Sequence, residues 1–357
     1  MITFANMPGI DVNVLLLVLT GLSAGILSGF AGVGGAFIVT PALIILGFPA
    51  HMAVGTSLTW VVGNSIIGAF LHRKLGNMDM KLGMVMILAV MGGVEVGVRV
   101  INKIREAGLA DEVVLSLSIC MLLIVGSYTL LESLKRKRHL DKMLEKGEKT
   151  PGIRATALSR KLQSINIPPM LHFVKSDITI SLWIILTSGF TIGMIVGIIG
   201  VGGGFIMVPA LVYIFGIPSF MAVGTDLFQI IFSAAYGSIR HAMSGNVIIF
   251  ASLIMLTTSA GIGVQYGVLV TRYVRGVSVR FILGISILIS AMGAILKLSS
   301  TLLGKSATVL ETGSLVVTFS GIGLAVAMIS ILFIMAIRYR RGYHVPVWVK
   351  SLVARET

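Results

Sequence analysis

The sequence has few of the residues on which metal centres and most soluble enzymes depend. Its 357 residues include one cysteine and six histidines, and only 12% are charged. The single cysteine, Cys120, excludes an internal disulfide and a cluster of cysteine ligands. The histidines show no ligand spacing, and no nucleophile lies beside a base in sequence. We therefore predict no catalytic residues, no metal and no cofactor.

Long apolar runs stand where charge is missing, and mean hydropathy is +0.99. A soluble domain is about one quarter charged, and an apolar run of about 20 residues can cross a bilayer as a helix. The chain is predicted to be an all-α polytopic membrane protein in contact with the lipid bilayer. The first run has neither a basic start nor a cleavage site, so we expect it to be retained. The predicted spans are 13–33, 52–71, 82–101, 113–131, 178–201, 220–239, 247–270, 281–298 and 315–337.

The net charge of +14 is explained by its position in the chain. Of the 28 Lys and Arg residues, 11 lie in the loop 132–177 and five in the tail 338–357. Positive residues beside spans mark the cytoplasmic side of a membrane protein. We therefore expect loop and tail to be cytoplasmic, and we expect no nucleic-acid partner.

The chain contains an internal duplication. Residues 25–58 align with 193–227 at the cost of one single-residue gap, and 19 of 34 positions are identical. The similarity continues more thinly as far as GVEVGV (93–98) and GVQYGV (263–268). The predicted organisation is repeat A (12–131), a basic cytoplasmic loop (132–177), repeat B (178–298), an additional transmembrane helix (315–337) and a tail (338–357).

The positive residues also predict how the two repeats lie in the membrane. The loop and the tail are predicted on the same side of the membrane, so repeat B and the additional helix together cross the membrane an even number of times. Repeat B alone therefore crosses it an odd number of times. Repeat A then begins outside and repeat B inside, which makes the repeats an inverted-topology pair. The N-terminus is predicted outside and the C-terminus in the cytoplasm. This arrangement places 22 of the 28 Lys and Arg residues on the cytoplasmic side.

Each repeat interrupts its apolar sequence with clustered glycines, in GFAGVGGAFIVTP from Gly29 and GIIGVGGGFIMVP from Gly197. Each glycine costs a helix about 1 kcal/mol relative to alanine. The apolar piece that follows, about 11 residues or 16 Å of helix, reaches half-way across a bilayer. We predict re-entrant helices that are broken at the glycines, with free N–H groups that suit an anion. In the alternative interpretation the glycines only allow close helix packing.

The candidate substrate-binding residues surround these two glycine clusters. Inverted repeats with broken helices are typical of secondary transporters, whose site lies at the repeat interface. The clusters lack the spacing of a dinucleotide or phosphate-binding loop, so ATP and NAD are excluded. The predicted substrate-binding residues are Gly32, Gly34, Gly35, Thr56, Ser57, Gly200, Gly202, Gly203, Gly204 and Thr225.

Two acids lie inside predicted spans, where ionisable residues are rare and usually functional. Asp226, with Gln229 one turn further on, and Glu95 are the candidate coupling-ion or proton residues. The alternatives are a helix N-cap for Asp226 and an ion pair with Arg99 for Glu95. The partner of Asp226 in repeat A is Ser57, so the two repeats differ at this position.

Two histidines at matching places, His72 and His241, precede Gly-Asn turns near span ends. They could relay protons, because histidine changes its charge near neutral pH. Hydrogen bonding at the membrane interface is the alternative for both.

The duplicated pattern resembles a known family. G-x-x-G-V-G-G-[AG]-F-[ILV]-x-x-P-x-L, followed by A-V-G-T-[SD]-L and H-x₃-G-N, is similar to the TauE/SafE family of sulfite exporters and organosulfur-anion permeases. The resemblance covers residues 20–131 and 180–298. It implies a permease that moves small sulfur-containing anions, such as sulfite or sulfonates, across the bacterial inner membrane. It leaves the oligomeric state, a homodimer included, open.

The predicted function is therefore an H⁺- or Na⁺-coupled transporter of a small anionic substrate. A passive anion channel with the same glycine-lined path is the alternative. A membrane-embedded enzyme that uses Asp226 and His241 is a poor third interpretation, because neither a nucleophile–base pair nor a metal cluster accompanies them.

Overall fold

The computed structural model of the chain describes residues 2–3, 11–145, 167–200, 203–303, 308–343, 345–346, 349 and 352–353. In chain order its helices of ten or more residues are α1 (Val14–Ala31), α2 (Ala36–Ile45), α3 (Ala50–Lys74), α4 (Met80–Glu106), α5 (Ala110–Glu145), α6 (Leu182–Ile199), α7 (Gly204–Tyr213), α8 (Ser219–Met243), α9 (Ile249–Thr271), α10 (Gly276–Leu303) and α11 (Thr308–Arg340).

Nine of the helices within these ranges are long and apolar enough to cross a bilayer. They correspond to the nine apolar runs of the sequence, and the chain is a multi-pass helical membrane protein. The other two, α2 and α7, have ten residues each. At about 1.5 Å per residue such a helix is about 15 Å long, which is half the hydrocarbon thickness.

Two details differ from the sequence prediction. Helix α5 does not end at residue 131 but continues to Glu145, so the basic loop begins as helix. The cause is that Leu, Glu, Lys and Arg are strong helix formers, whereas hydropathy detects only the apolar part. Two short hairpins also precede α1 and α6: β1 (Ile2–Thr3) with β2 (Asp11–Val12), and β3 (Met170–Phe173) with β4 (Ile178–Ser181).

Glycines in the left-handed conformation separate each short helix from the long helix before it. Gly32 has φ +71° and ends α1, and Gly35 has φ +83° and precedes α2. Gly200 (φ +69°) and Gly203 (φ +71°) do the same between α6 and α7. Only glycine adopts this conformation without steric cost, which explains the cluster. We call residues 32–35 break A and residues 200–203 break B.

The two halves of the chain pack through reciprocal pairs of helices. Helix α1 packs along α9, and α6 packs along α4, so the first helix of each half contacts the fourth helix of the other. Further large contacts join α3 to α8, α4 to α8 and α5 to α10, and α11 covers α10.

Glycines allow the two reciprocal pairs to approach closely. A Cβ on Gly29 would overlap the Val264 backbone, and one on Gly267 would overlap Ile26. In the other pair a Cβ on Gly97 would overlap Met194. Small residues at four-residue spacing are a common means of packing membrane helices. Close packing therefore accounts for these helical glycines.

The bundle has two ends that carry equivalent residues. At one end, which we call the Arg275 end, the turn after α3 meets the start of α8 and the connection between α9 and α10. At the other, the Arg105 end, the end of α4 meets the turn after α8. Arg105 and Arg275 both stand seven residues after the matched segments 93–98 and 263–268.

Candidate functional site

In the buried interior, break A contacts α8 and the start of α7, and break B contacts the start of α3. A Cβ on Gly32 would overlap Val223 of α8, and a Cβ on Gly200 would overlap Val54 of α3. Gly204, at the start of α7, lies directly against the Val33 backbone of break A. The structure therefore brings the predicted glycines of the two halves together, in surroundings that leave no room for a larger residue.

Hydroxyl groups of the first half bind the backbone of break B. Ser57 Oγ lies 3.0 Å from the Gly200 carbonyl oxygen and 2.8 Å from Thr40 Oγ1. Thr40 Oγ1 is itself 3.2 Å from the same carbonyl oxygen. Ser57 thus has hydrogen-bond partners inside the protein and fixes the turn that ends α6.

Asp226 occupies the matching position in α8 and has no comparable partner. It is 1% exposed, and neither carboxylate oxygen has a hydrogen-bond partner among the residues that the structure describes. Helix α8 begins seven residues earlier, at Ser219, so the N-cap interpretation of Asp226 is wrong. Burying an unpaired carboxylate is costly unless a proton or a cation neutralises it. Asp226 is therefore the strongest functional candidate in the described spans.

Gln229 lies one turn beyond Asp226 but does not hydrogen-bond to it. Its side-chain Nε2 donates to Ser233 Oγ at 2.9 Å, and the residue is 2% exposed. The structure places Gln229 in the same buried stripe of α8 but gives its amide another partner.

Thr56 and Thr225 form a matched pair of contacts between the two halves. Thr56 Oγ1 accepts the backbone N–H of Ile248 at 3.0 Å, and Thr225 Oγ1 accepts that of Asp79 at 2.9 Å. Ile248 and Asp79 are the residues that precede α9 and α4. Each threonine therefore satisfies an N-terminal donor of a helix in the other half. The two threonines therefore have a structural role, and their role in substrate binding remains a prediction.

The remaining predicted glycines line the breaks. The position of a Cβ on Gly35 is 2.8 Å from Trp60 Cη2, and that of a Cβ on Gly34 is 3.0 Å from Ile230 Cδ1. Gly203 faces Val196. Gly202 lies outside the described residues.

Sequence reasoning missed a set of polar side chains beside break A. Asn64 Nδ2 donates to Ser28 Oγ at 2.6 Å, and the Ser259 hydroxyl donates to the Asn64 side-chain Oδ1. Trp60 Nε1 and Ser65 Oγ are buried without a hydrogen-bond partner among the described residues. The signal was present, because polar residues at i and i+4 inside an apolar span indicate a buried polar face.

Glu95 belongs to an ion-pair cluster at the Arg105 end. It contacts Arg99 Nε at 2.6 Å and Arg240 Nε at 2.8 Å, and it accepts the Tyr236 hydroxyl at 2.7 Å. The alternative interpretation, the pair with Arg99, is therefore present and extends to α8. Tyr236 is ten residues beyond Asp226, or about 15 Å along the helix, so the two acids do not form one site.

The matched histidines are both buried rather than at a surface. His72 Nε2 lies 3.0 Å from the Gly29 carbonyl oxygen, which ties α3 to the last turn of α1. His241 lies at the matching place near the end of α8. Within the described ranges no three His, Cys, Asp or Glu residues are grouped so that they could hold a metal ion.

Among the described residues, the membrane-length helices, the two buried glycine breaks and the buried carboxyl group of Asp226, which has no partner there, are features of a membrane transporter. Comparison with known proteins gives the family. The profile described as "Sulfite exporter TauE/SafE" matches residues 17–294, and the chain belongs to this family.

Three relatives carry the name of a membrane transporter. "Probable membrane transporter protein YunE" of Bacillus subtilis (strain 168) is 25% identical over 283 residues, which cover 77% of this chain and 94% of the relative. YjnA of the same organism is 23% identical, over 65% of this chain and 84% of the relative. MJ0441 of Methanocaldococcus jannaschii is 27% identical, over 55% and 60%. No solved structure matches the chain.

Proposed function

We propose that the protein is a secondary active transporter of small sulfur-containing anions, such as sulfite or organosulfonates, in the bacterial inner membrane. Transport is coupled to H⁺ or Na⁺. The observation that carries this proposal is Asp226, a buried carboxylate without a partner among the described residues, three residues after Val223, which lies against break A. A carboxylate in such a place can take up and release one proton or one cation in each cycle.

The reciprocal contacts support an inverted pair of repeats that rock against each other. Helix α1 with α9 is matched by α6 with α4, and the Thr56 contact is matched by the Thr225 contact. In this arrangement α2 and α7 are re-entrant helices that enter from opposite faces. The N-terminus is outside and the C-terminus in the cytoplasm, as the distribution of positive residues favours.

The anion binds at the breaks without a permanent positive charge. The first N–H groups of α2 and α7 have no helical partner, and the positive ends of both helix dipoles lie at the glycines. Trp60 Nε1 and the Ser65 hydroxyl supply further donors beside break A. A set of uncharged donors of this kind can bind an anion in one state of the transport cycle and release it in the next.

The test is flux of radiolabelled sulfite or sulfoacetate into proteoliposomes under an imposed pH or Na⁺ gradient. A carrier accumulates the anion above its equilibrium concentration only while a gradient is present. Flux that depends on neither gradient, at a rate far above the turnover rate of a carrier, indicates the passive channel instead. Accumulation of carboxylates but of no sulfur-containing anion contradicts the proposed substrate class.

A further inference from the structure

Each half of the chain packs the end of one helix against a valine of the other half in the same way. Gly200, which ends α6, has φ +69°, and Gly32, which ends α1, has φ +71°. The position of a Cβ on Gly200 is 2.7 Å from Val54 Cα, and that of a Cβ on Gly32 is 2.6 Å from Val223 Cα. The two contacts agree in backbone conformation and in distance, so the surroundings of one indicate those of the other.

A second pair of contacts supports this correspondence along α3 and α8. The position of a Cβ on Gly55 is 3.0 Å from His241 Cβ, and that of a Cβ on Gly224 is 3.2 Å from His72 Cβ. Gly55 is the sixth residue of α3, and Gly224 is the sixth residue of α8. The first two turns of these helices therefore lie in equivalent places in the two halves.

The carbonyl oxygen that ends α6, that of Gly200, lies within hydrogen-bond distance of two hydroxyl groups. Ser57 Oγ is 3.0 Å away, and Thr40 Oγ1 is 3.2 Å away. In the second half Asp226 holds the position of Ser57, and Val208 holds that of Thr40. We therefore expect the carbonyl oxygen that ends α1 to meet a carboxyl group and a valine in place of two hydroxyl donors.

The charge state of Asp226 decides whether it can satisfy such a carbonyl oxygen. An ionised carboxylate only accepts hydrogen bonds, as a carbonyl oxygen does, whereas a protonated carboxyl group donates its O–H. Asp226 is 1% exposed, and neither of its oxygens has a donor among the described residues. One proton therefore removes a costly buried charge and supplies the donor that the Gly32 carbonyl oxygen lacks.

A metal cation at this place would find few ligands. A hard cation takes about six oxygen atoms. In the first half the oxygens around Ser57 belong to the Thr40 side chain and to the backbone of Gly200 and Val54. Val208 removes the equivalent of the first, which leaves two backbone oxygens beside the carboxyl group. This difference favours a proton over Na⁺.

Titratable groups on the elements packed against α8 have other partners. His72 Nε2 of α3 lies 3.0 Å from the Gly29 carbonyl oxygen, and Asp79 at the start of α4 accepts the Ser176 hydroxyl at 2.8 Å. Charged groups of α4, α7 and α10 also form pairs: Glu95 with Arg240, and both Tyr213 and Arg280 with Glu132. Helix α1 contains no charged residue. The effect of His72 on any pH dependence is separated by the variants below.

We propose that Asp226 is a proton-binding site whose acid form donates its O–H to the Gly32 carbonyl oxygen, and that this proton is the coupling ion. That the proton drives transport rests on the proposed function. When the O–H ionises and the proton passes to water, two acceptors face each other, and the contact of α8 with break A weakens. The contact of Ser57 with break B is then permanent, whereas that of Asp226 with break A depends on pH.

The first test is infrared spectroscopy of the full-length protein above about pH 6, where exposed carboxyl groups are ionised. The wild type should show the C=O band of a protonated carboxyl group, shifted in D₂O and absent from Asp226→Asn. The matched control, Glu95→Gln, removes the other acid within a span and should keep the band. A wild type without the band would overturn the proposal, and so would a band that Na⁺, but not choline, removes at constant pH.

The second test asks whether Gly32 is the acceptor, by thermal unfolding in detergent. The melting temperature of the wild type should fall by about 3 °C or more between about pH 5 and 7, because the folded form holds one more proton than the unfolded form. Asp226→Asn should lack this part of the fall, because its amide donates at every pH. His72 is present in both proteins, so their difference belongs to Asp226.

A double variant gives the second half the hydroxyl groups of the first. Asp226→Ser/Val208→Thr should melt about 3 °C or more above Asp226→Ala at every pH, because two hydroxyls then reach the Gly32 carbonyl oxygen. A double variant that melts no higher than Asp226→Ala would show that this oxygen is not the acceptor.

These measurements require no transport, so the two proposals fail separately. A protein that shows the band and its pH dependence but no gradient-driven flux refutes the proposed function and leaves the proton site intact. Accumulation that is driven by a Na⁺ gradient at constant pH, and by no pH gradient, leaves the transporter intact and refutes the proton as coupling ion.

Discussion

Ser57 and Asp226 hold the same position in the two halves of the chain, yet their surroundings are opposite. Ser57 Oγ contacts Thr40 Oγ1 and the Gly200 carbonyl oxygen, whereas both oxygens of Asp226 lack a partner among the described residues. Thr40 is replaced by Val208 in the second half. The two halves therefore pack alike but differ in chemistry at this position. Ser57 fixes a backbone turn in the first half, and Asp226 supplies a carboxyl group in the second.

Among the packing contacts that the two halves share, those of the break glycines are expected to be the most sensitive to substitution. Gly32→Ala and Gly200→Ala each force a positive φ on alanine and overlap a valine, Val223 or Val54. We expect each to cost at least about 3 kcal/mol, from the backbone strain and the overlap together. Thermal unfolding in detergent measures the loss, which should be similar in the two halves.

Two controls separate strain from overlap. Gly76→Ala keeps a positive φ of 74° but meets no atom within 4 Å, so it should cost about 1 kcal/mol. Gly323→Ala, in a helix with open space around it, should be neutral or slightly stabilising. A Gly32→Ala protein as stable as the Gly323→Ala protein would contradict the described packing of break A.

A smaller effect is expected at the reciprocal threonines. Thr56→Val and Thr225→Val leave the N–H groups of Ile248 and Asp79 without a partner, at a cost of about 1–2 kcal/mol each. The serine variants keep the acceptor and should restore most of the stability. Unequal losses in the two valine variants would show that the halves are less alike than their contacts suggest.

One substitution makes the surroundings of Ser57 more like those of Asp226. Thr40→Val gives the first half the residue that the second half has at this position, and it removes one hydroxyl beside Gly200. We expect a loss of about 1 kcal/mol, because Ser57 still contacts the carbonyl oxygen. The melting temperature of Thr40→Val should lie between those of the wild type and the double variant Thr40→Val/Ser57→Ala.

The smallest effect on stability is expected at Glu95. The side chain is 18% exposed and its partner Arg99 is 70% exposed, so Glu95→Gln should cost less than about 1 kcal/mol. The cluster ties α4 to α8 near the Arg105 end, so the same variant should increase thiol labelling of a Ser244→Cys protein. Unchanged labelling would limit Glu95 to local packing.

The sequence was sufficient for the spans and for the places of the two breaks, because apolar length and glycine clusters are local signals. Helix α5 showed the limit of hydropathy, since its polar end beyond residue 131 is still helix. Contacts such as Thr56 with Ile248 or Glu95 with Arg240 join residues far apart in the chain. They depend on how the halves pack, which no local pattern encodes. Trp60 and Ser65 became candidates only when their burial was known.

The contrast between an engaged serine and an unpaired acid is tested most directly by gradient-driven uptake with Asp226→Asn. The asparagine keeps the shape of the side chain and removes its ability to carry a proton or a cation. We predict that in proteoliposomes the variant folds, still equilibrates sulfite or sulfoacetate, and no longer accumulates it under a pH or Na⁺ gradient. Accumulation equal to that of the wild type would contradict the coupling role of Asp226.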